Sequence, residues 1–334
     1  MSARNLQVRM KRHPNGMVVE DDFSIVEADM PSVEPGQALV RNLFLSLDPY
    51  MRPRMDPVRS YVDPLKPGDL MPGATVGEVI DSKAEDLPKG TLVGTFLGWQ
   101  THGIVTKAGV RVIDRALGSP SSALGVLGMT GVTAHYGMLA LAKPKAGETV
   151  VVTAASGAVG SIAGQIAKLK GCHVIGIAGG PAKCRYVVEE LGFDACVDYK
   201  GGNLASDLNA AAPNGIDVYF ENVGGEILDT VLLQMNIFGR IPVCGLISAY
   251  NATSVPEGPK NLRVVLTQRL TMQGLIVFDW ADRVPEAIRE LGAWHKAGKL
   301  KIREDVRTGG IDAYPDVLNL LYTSGNNGKL VLKV

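Results

Sequence analysis

The segment Val150-Val-Val-Thr-Ala-Ala-Ser-Gly-Ala-Val-Gly160 carries the residue types best suited to chemistry. An apolar run turns at glycines into the helical pattern of Ser161 to Lys170. A strand, tight turn and helix in that order present backbone N–H groups and a helix N-terminus to a pyrophosphate. The spacing Ala155-x-Gly157-x-x-Gly160 departs from G-x-G-x-x-G by an alanine at the first position. Any tight strand-to-helix turn uses such glycines, so the sequel decides. A second apolar strand, His173-Val-Ile-Gly-Ile-Ala178, follows the helix as a βαβ unit requires. The segment therefore reads as a dinucleotide site.

The end of the second strand bears on which dinucleotide. An NAD site usually places Asp or Glu about 20 residues past the glycines to hold the ribose 2′-hydroxyl. Here Ala178-Gly-Gly-Pro181 offers no carboxylate, and the cations Lys183 and Arg185 follow. A small neutral loop followed by positive charge accepts a 2′-phosphate through charge-assisted hydrogen bonds. NADP is the expected cofactor, although both cations also suit the first turn of a solvated helix.

These residues need a scaffold, and the chain supplies two textures. Up to about residue 125 it is rich in Pro, Gly and short alternating runs such as Gln37–Leu43, Gly77–Ile80 and Thr91–Phe96, which predict a twisted antiparallel sheet or small barrel. From Ala123 helices and strands alternate. Helical patterns fall at Leu124–Ala142, Ser161–Lys170, Ala182–Leu191 and Asp282–Lys296; strand patterns fall at Val150–Ala154, His173–Ala178, Cys196–Tyr199, Asp217–Asn222, Arg240–Ile247 and Met272–Val277. That alternation predicts an α/β fold with a doubly wound parallel sheet. The tail returns to short elements, with a final strand at Lys329–Lys333. At 334 residues the chain exceeds what one core usually serves, so two domains are expected, with substrate meeting cofactor in the cleft between them.

Composition narrows the partners. The 34 Lys and Arg balance 34 Asp and Glu, which gives no electrostatic footprint for nucleic acid or an anionic membrane and favours a small neutral substrate. No run of about 18 apolar residues occurs, and the N-terminus has no apolar core, so a cytoplasmic protein is expected. Cys172, Cys184, Cys196 and Cys244 have no C-x-x-C pairing and read as free thiols in a reducing compartment. No two of His13, His102, His135, His173 and His295 have metal-ligand spacing, so no metal is expected. His135 lies beside Tyr136 in a helix before the nucleotide unit, where it could approach the cofactor, though a structural role suits it better.

Together, Leu45-Ser-Leu-Asp-Pro-Tyr-Met-Arg52, Gly125-Val-Leu-Gly-Met-Thr-Gly131, Ala154–Gly160, Glu221-Asn-Val-Gly-Gly225, Cys244-Gly-Leu-Ile-Ser-Ala-Tyr-Asn251 and Asn326-Asn-Gly-Lys329 span nearly the whole chain. In this order they resemble the medium-chain dehydrogenase/reductase superfamily, in its zinc-free branch of prostaglandin, alkenal double-bond and curcumin reductases. Gly245–Ala252 is most similar to the curcumin reductases. The resemblance implies a GroES-like β-rich catalytic domain over 1–125, completed by 299–334, a Rossmann NADP-binding domain over 126–298, and a homodimer. It also implies that Gly157, Ala158, Val159 and Gly160 hold the pyrophosphate, Lys183 and Tyr199 the adenosine phosphate end, and Asn222 the nicotinamide side. Further cofactor contacts fall on Cys244, Gly245, Leu246, Ile247, Ser248, Ala249, Tyr250, Ile276, Val277, Phe278 and Asn326.

Zinc members of the superfamily polarise a carbonyl through thiolate and imidazole ligands. Here Leu45–Met51 has no Cys, Leu70–Gly77 has neither His nor Glu, and the four-cysteine lobe is missing. Without a Lewis acid to stabilise an alkoxide, reduction of a carbon–carbon double bond conjugated to a carbonyl is expected, with hydride to the β-carbon and a delocalised enolate. The enolate needs a hydrogen-bond donor, and the α-carbon finally needs a proton. Tyr50 and Tyr250 are the candidates, because a phenol donates while staying neutral; each could instead only wall the pocket or pack the cofactor. Thr267 stands where prostaglandin reductases carry a tyrosine, which makes prostaglandins less secure substrates than enones and enals. The alternatives are a quinone reductase and a non-catalytic NADPH-binding protein.

Overall fold

The computed structural model describes residues 4–334. The chain divides into two compact units, one holding residues up to Leu124 together with Glu304–Val334 and the other Gly125–Arg303.

The first unit begins with β1 (Asn5–Met10) paired antiparallel with β2 (Phe23–Ala28). Five strands of its larger sheet follow: β3 (Gln37–Ser46), β4 (Thr75–Ser82), β5 (Leu92–Thr95), β6 (His102–Thr106) and β7 (Arg111–Val112). The ten-residue β3 is the organising strand, antiparallel to both β4 and β6. Gly77 is needed there, because a Cβ at that position would lie 2.6 Å from the Arg41 carbonyl.

In the second unit, α1 (Met129–Tyr136) runs into a π-type turn over Gly137–Ala142. The helix starts later than its apolar pattern does, because Gly125–Gly128 closes a turn whose Gly125 carbonyl accepts from Gly128, Gly131 and Thr130. Then come β8 (Thr149–Thr153), α2 (Gly160–Leu169), β9 (His173–Ala178), α3 (Pro181–Arg185), β10 (Ala195–Asp198), α4 (Leu204–Ala211), β11 (Ile216–Phe220), α5 (Gly225–Leu232), β12 (Met235–Val243), α6 (Arg263–Thr267), β13 (Thr271–Gly274) and α7 (Val284–Lys296). The six strands form one parallel sheet in the order β10-β9-β8-β11-β12-β13. Strands buried on both faces need unbroken apolar runs, and all five residues of β8 are buried. β12 starts five residues before the pattern read at Arg240. Phe238 at φ 63° puts an irregularity into its pairing with β11, so Asn236–Gly239 imitates a turn in sequence. β13 stops at Gly274, and Val277–Arg283 coils into 3-10 turns.

The tail adds β14 (Glu304–Arg307), α8 (Tyr314–Asn319) and β15 (Lys329–Lys333), completing the order β14-β15-β3-β4-β5-β7 in the first unit's sheet. β15 runs antiparallel to β3, with Val331 opposite Ser46. Tyr314, Leu318, Leu330 and Leu332 share a core with Leu45, Leu47, Met51 and Trp99. No helix among the described residues is long and apolar enough to cross a membrane.

Candidate functional site

The switch point of the parallel sheet lies between β8 and β11, where connections leave toward opposite ends of the sheet, and ligands bind such sheets there, beyond the strands' carboxyl ends. β8 ends at Thr153, and Ala154 takes φ 49° to start the turn. The Ala154 carbonyl accepts from Gly157 N at 2.8 Å. A Cβ on Gly160 would sit 2.4 Å from that carbonyl oxygen, so only glycine lets the backbone close. Val159 is the N-cap of α2, so Ala158, Val159 and Gly160 form the lip of the helix, ahead of Ser161 and Ile162, whose N–H groups already donate to Gly157 O and Val159 O. Such a lip, with the positive end of the helix dipole behind it, fits a pyrophosphate.

At the end of β9, Gly179 and Gly180 lead into α3, with Pro181 in its first turn and Lys183 in the middle. Tyr199, just after β10, packs on this loop: a Cβ on Gly179 would meet its ring and hydroxyl at 2.9 Å. Lys183 and Tyr199 thus belong to the ends of adjacent strands. Asp198, opposite Ala178 in register, is the nearby carboxylate, and its Oδ1 accepts from Gly180 N at 2.7 Å and Lys200 N at 3.0 Å. It braces the loop between β9 and α3.

At the ends of β11 and β12 a second group assembles. Glu221 O accepts from Cys244 N at 2.8 Å and Gly245 N at 3.3 Å, Asn222 O from Ile247 N at 3.2 Å, and Val223 O from Ser248 N at 3.0 Å and Ser248 Oγ at 2.6 Å. The Cys244–Tyr250 loop is therefore laid along Glu221–Val223, rung by rung. Tyr250 Oη folds back to accept from Leu246 N at 3.2 Å. Burial, with Glu221 adding to it, pushes the Cys244 thiol up to about 12. Ile276 follows β13 as N-cap of the 3-10 turns that hold Val277 and the exposed Phe278, and Leu275 N donates to Val243 O at 2.9 Å to bring this segment beside β12.

Tyr50 and Asn326 belong to the other unit. Tyr50 sits in a 3-10 turn, Pro49–Met51, directly after β3 and Asp48. Its hydroxyl is buried and has no hydrogen-bond partner among the described residues. Burial first, then the Asp48 charge, raises its pKa far above the ordinary phenol range, so it remains a neutral donor. The turn is braced from three sides. Lys329 Nζ donates to Leu47 O at 2.8 Å and Asp48 Oδ1 at 2.7 Å, Tyr322 Oη to Pro49 O at 3.0 Å, and the buried Arg52 to Gly16 O, Pro14 O and Asp56. Asn326 stands three residues before Lys329, its Nδ2 donating to Gly328 O at 3.0 Å.

His135 is placed elsewhere: its Nε2 pairs with Glu290 of α7 at 2.6 Å, which makes it a helix-packing residue. The four cysteines are free. Among the described residues no three His, Cys, Asp or Glu side chains group as metal ligands. Sequence reasoning missed two features, the Lys329–Asp48 pair and the buried carboxylate of Glu221. Their partners lie 281 and 68 residues away, so no local signal in the sequence marks either.

Residues 6–113 match the family model described as the N-terminal domain of oxidoreductase, and residues 158–293 the model described as zinc-binding dehydrogenase. The NADPH-dependent curcumin reductase of Escherichia coli (strain K12) is 44% identical over 336 residues, covering 99% of this chain and 97% of that protein. The chain belongs to the medium-chain dehydrogenase/reductase family. Another relative of this dehydrogenase/reductase is prostaglandin reductase 1 of Mus musculus, 42% identical with 97% of each chain covered. Its fold matches the crystal structure of CurA in complex with NADPH from Vibrio vulnificus, with a TM-score of 0.93, 42% identity and 99% of each chain covered.

Proposed function

We propose that the protein reduces the carbon–carbon double bond of α,β-unsaturated ketones and aldehydes with NADPH. The observation that carries this reading is the full-length likeness, at 44% identity, to an NADPH-dependent curcumin reductase. The turn of Ala154–Gly160 supports it, because Gly160 lets the strand close tightly against the Ala154 carbonyl into the N-terminus of α2, the arrangement that receives a pyrophosphate. NADPH, when bound, supplies a hydride to the substrate's β-carbon. In this reading residues 126–298 bind the cofactor, and residues 1–125 with 299–334 bind the substrate. Gly157, Ala158, Val159 and Gly160 hold the pyrophosphate, while Lys183 and Tyr199 hold the 2′-phosphate end. Asn222, Cys244–Tyr250 and Ile276–Phe278 line the nicotinamide half, with Asn326 a further cofactor contact.

Tyr50 is the preferred donor to the carbonyl oxygen as it becomes an enolate, because its hydroxyl is buried and has no hydrogen-bond partner among the described residues. Tyr250 shapes the cofactor loop through Leu246. We further propose a homodimer formed at the edge strand β13, whose Thr271, Gln273 and Gly274 are exposed and near which Leu262 and Leu266 lie bare. The free thiols suit the cytoplasm.

The test is product analysis after incubation with NADPH and a simple enone, an alkenal and curcumin. Saturated ketone or aldehyde is expected, and allylic alcohol would sink the double-bond reading. Turnover of naphthoquinones with none of enones would transfer the chain to the quinone reductases.

A further inference from the structure

Glu221 directly follows β11 with a carboxylate that is fully buried, and among the described residues none of its partners is Lys, Arg or His. Burying an acid without a cation is costly, so the group is expected to be held by hydrogen bonds. Four donors converge on it. Oε1 accepts from Val223 N, from Gly224 N at 3.0 Å and from Thr153 Oγ at 3.3 Å, the Thr153 proton being shared with the Phe220 carbonyl at 3.2 Å, while Oε2 accepts from Tyr219 Oη. An ionised carboxylate, which only accepts, suits this ring of donors better than the protonated acid, which must itself donate.

What the four bonds hold is the side chain next door. Thr153 Oγ accepts from Asn222 N at 2.8 Å, and the Thr153 carbonyl accepts from Asn222 Nδ2 at 2.8 Å. A carbonyl can only accept, so the amide of Asn222 must turn its nitrogen to Thr153 and its oxygen away. The same turn carries the Asn222 and Val223 carbonyls from which the Ile247–Ser248 segment hangs. The carboxylate, the Thr153 hydroxyl and the Asn222 amide together tie the end of β8 to the end of β11 at the switch point.

We propose that Glu221 is the positioning residue of the hydride-transfer site, its carboxylate fixing Thr153 and the Val223–Gly224 turn so that Asn222 offers its amide oxygen to the carboxamide N–H of the nicotinamide. This rests on the reading that Asn222 faces the nicotinamide. It makes turnover pH-dependent in a defined sense. Desolvation raises the pKa of Glu221 above the ordinary carboxylate value, so the proton that removes one acceptor arrives at a higher pH than for an exposed glutamate. The titratable groups facing it are Tyr219 of β11 and Cys244 after β12, both also shifted upward by burial.

The experiment uses the full chain with Glu221→Gln, Thr153→Val and Asn222→Ala. Calorimetry measures binding of 2′,5′-ADP, which probes only the adenosine end, and steady-state kinetics measures kcat and the NADPH KM across pH. Glu221→Gln is expected to keep the 2′,5′-ADP affinity within about twofold, lower kcat about tenfold or more, and abolish the acidic limb of the kcat profile. Thr153→Val, which keeps the shape and removes the hydroxyl, is expected to reproduce the fall in kcat, and it carries the test if Glu221→Gln does not fold. Unchanged kcat and acidic limb in Glu221→Gln overturn the proposal, as does parallel loss of 2′,5′-ADP and NADPH binding. If Asn222→Ala is harmful while Glu221→Gln is neutral, the positioning role alone falls. If Asn222→Ala is neutral, the nicotinamide assignment of Asn222 falls first.

Discussion

Lys329 and Asp48 form a buried ion pair at 2.7 Å that joins the first residue of the last strand to the turn carrying Tyr50. Both side chains are nearly inaccessible, at 4% and 3% exposure. Asp48 also accepts from Ser46, and Lys329 also donates to the Leu47 carbonyl, so the charges are hydrogen-bonded as well as paired. The pair sets where β3 ends and where the Pro49–Met51 turn begins, and with it the direction of the tyrosine.

Removing one member leaves the other charge buried and uncompensated, which costs about 3–5 kcal/mol. Lys329→Met is therefore expected to lower unfolding free energy by that amount in urea titrations. The double variant Lys329→Met with Asp48→Asn should recover part of the loss. Equal stability of Lys329→Met and the parent would show that the pair does not hold the turn.

Neither this pair nor the Glu221 cluster is legible in the sequence, and the reason is separation. Lys329 meets Asp48 across 281 residues, and Glu221 meets Thr153 across 68, so no local spacing announces them. A lysine at the start of Lys329-Leu-Val-Leu reads as an exposed strand end. What local pattern encodes was legible: the apolar runs of β8 and β9, the glycines of the turn between β8 and α2, and the absence of a carboxylate after Ala178. β12 was half legible, because the irregularity at Phe238 disguises its first half as a turn. The α1 start was misplaced because Gly125-Val-Leu-Gly128 keeps an apolar pattern while folding as a capped turn.

Gly160 gives a second prediction. A methyl group there would press on the Ala154 carbonyl at 2.4 Å, and backbone at a strand end yields little. Gly160→Ala is expected to cost about 1–3 kcal/mol of stability and to weaken NADPH binding, measured by thermal melts with and without cofactor. Full cofactor-induced stabilisation in the variant would mean that the turn is not the pyrophosphate cradle.

Lys183 tests cofactor choice. It lies on α3, beside the loop that Tyr199 covers, and a charge-assisted bond to a 2′-phosphate is worth about 1.5–3 kcal/mol. Lys183→Ala is expected to raise the NADPH KM about tenfold or more and leave the NADH KM nearly unchanged, because NADH lacks that phosphate. Equal damage with both cofactors would remove Lys183 from the 2′-phosphate site.

The two tyrosines are separable by what their oxygens already do. Tyr250 Oη accepts the Leu246 N–H, so Tyr250→Phe removes a tether of the Cys244–Tyr250 loop and is expected to raise the NADPH KM severalfold along with any fall in kcat. Tyr50 Oη has no partner among the described residues, so Tyr50→Phe removes a donor without breaking a bond of the resting protein. If that donor meets the enolate oxygen, kcat should fall by up to about 100-fold, equivalent to about 3 kcal/mol or less of transition-state stabilisation, while the NADPH KM stays nearly constant. The high pKa of the Tyr50 phenol adds a second signature: no alkaline loss of activity below pH 10 should trace to its ionisation, in the parent or in Tyr250→Phe. Stopped-flow measurement of NADPH oxidation with a simple enone distinguishes the outcomes. Full turnover in Tyr50→Phe would assign the donor to another group.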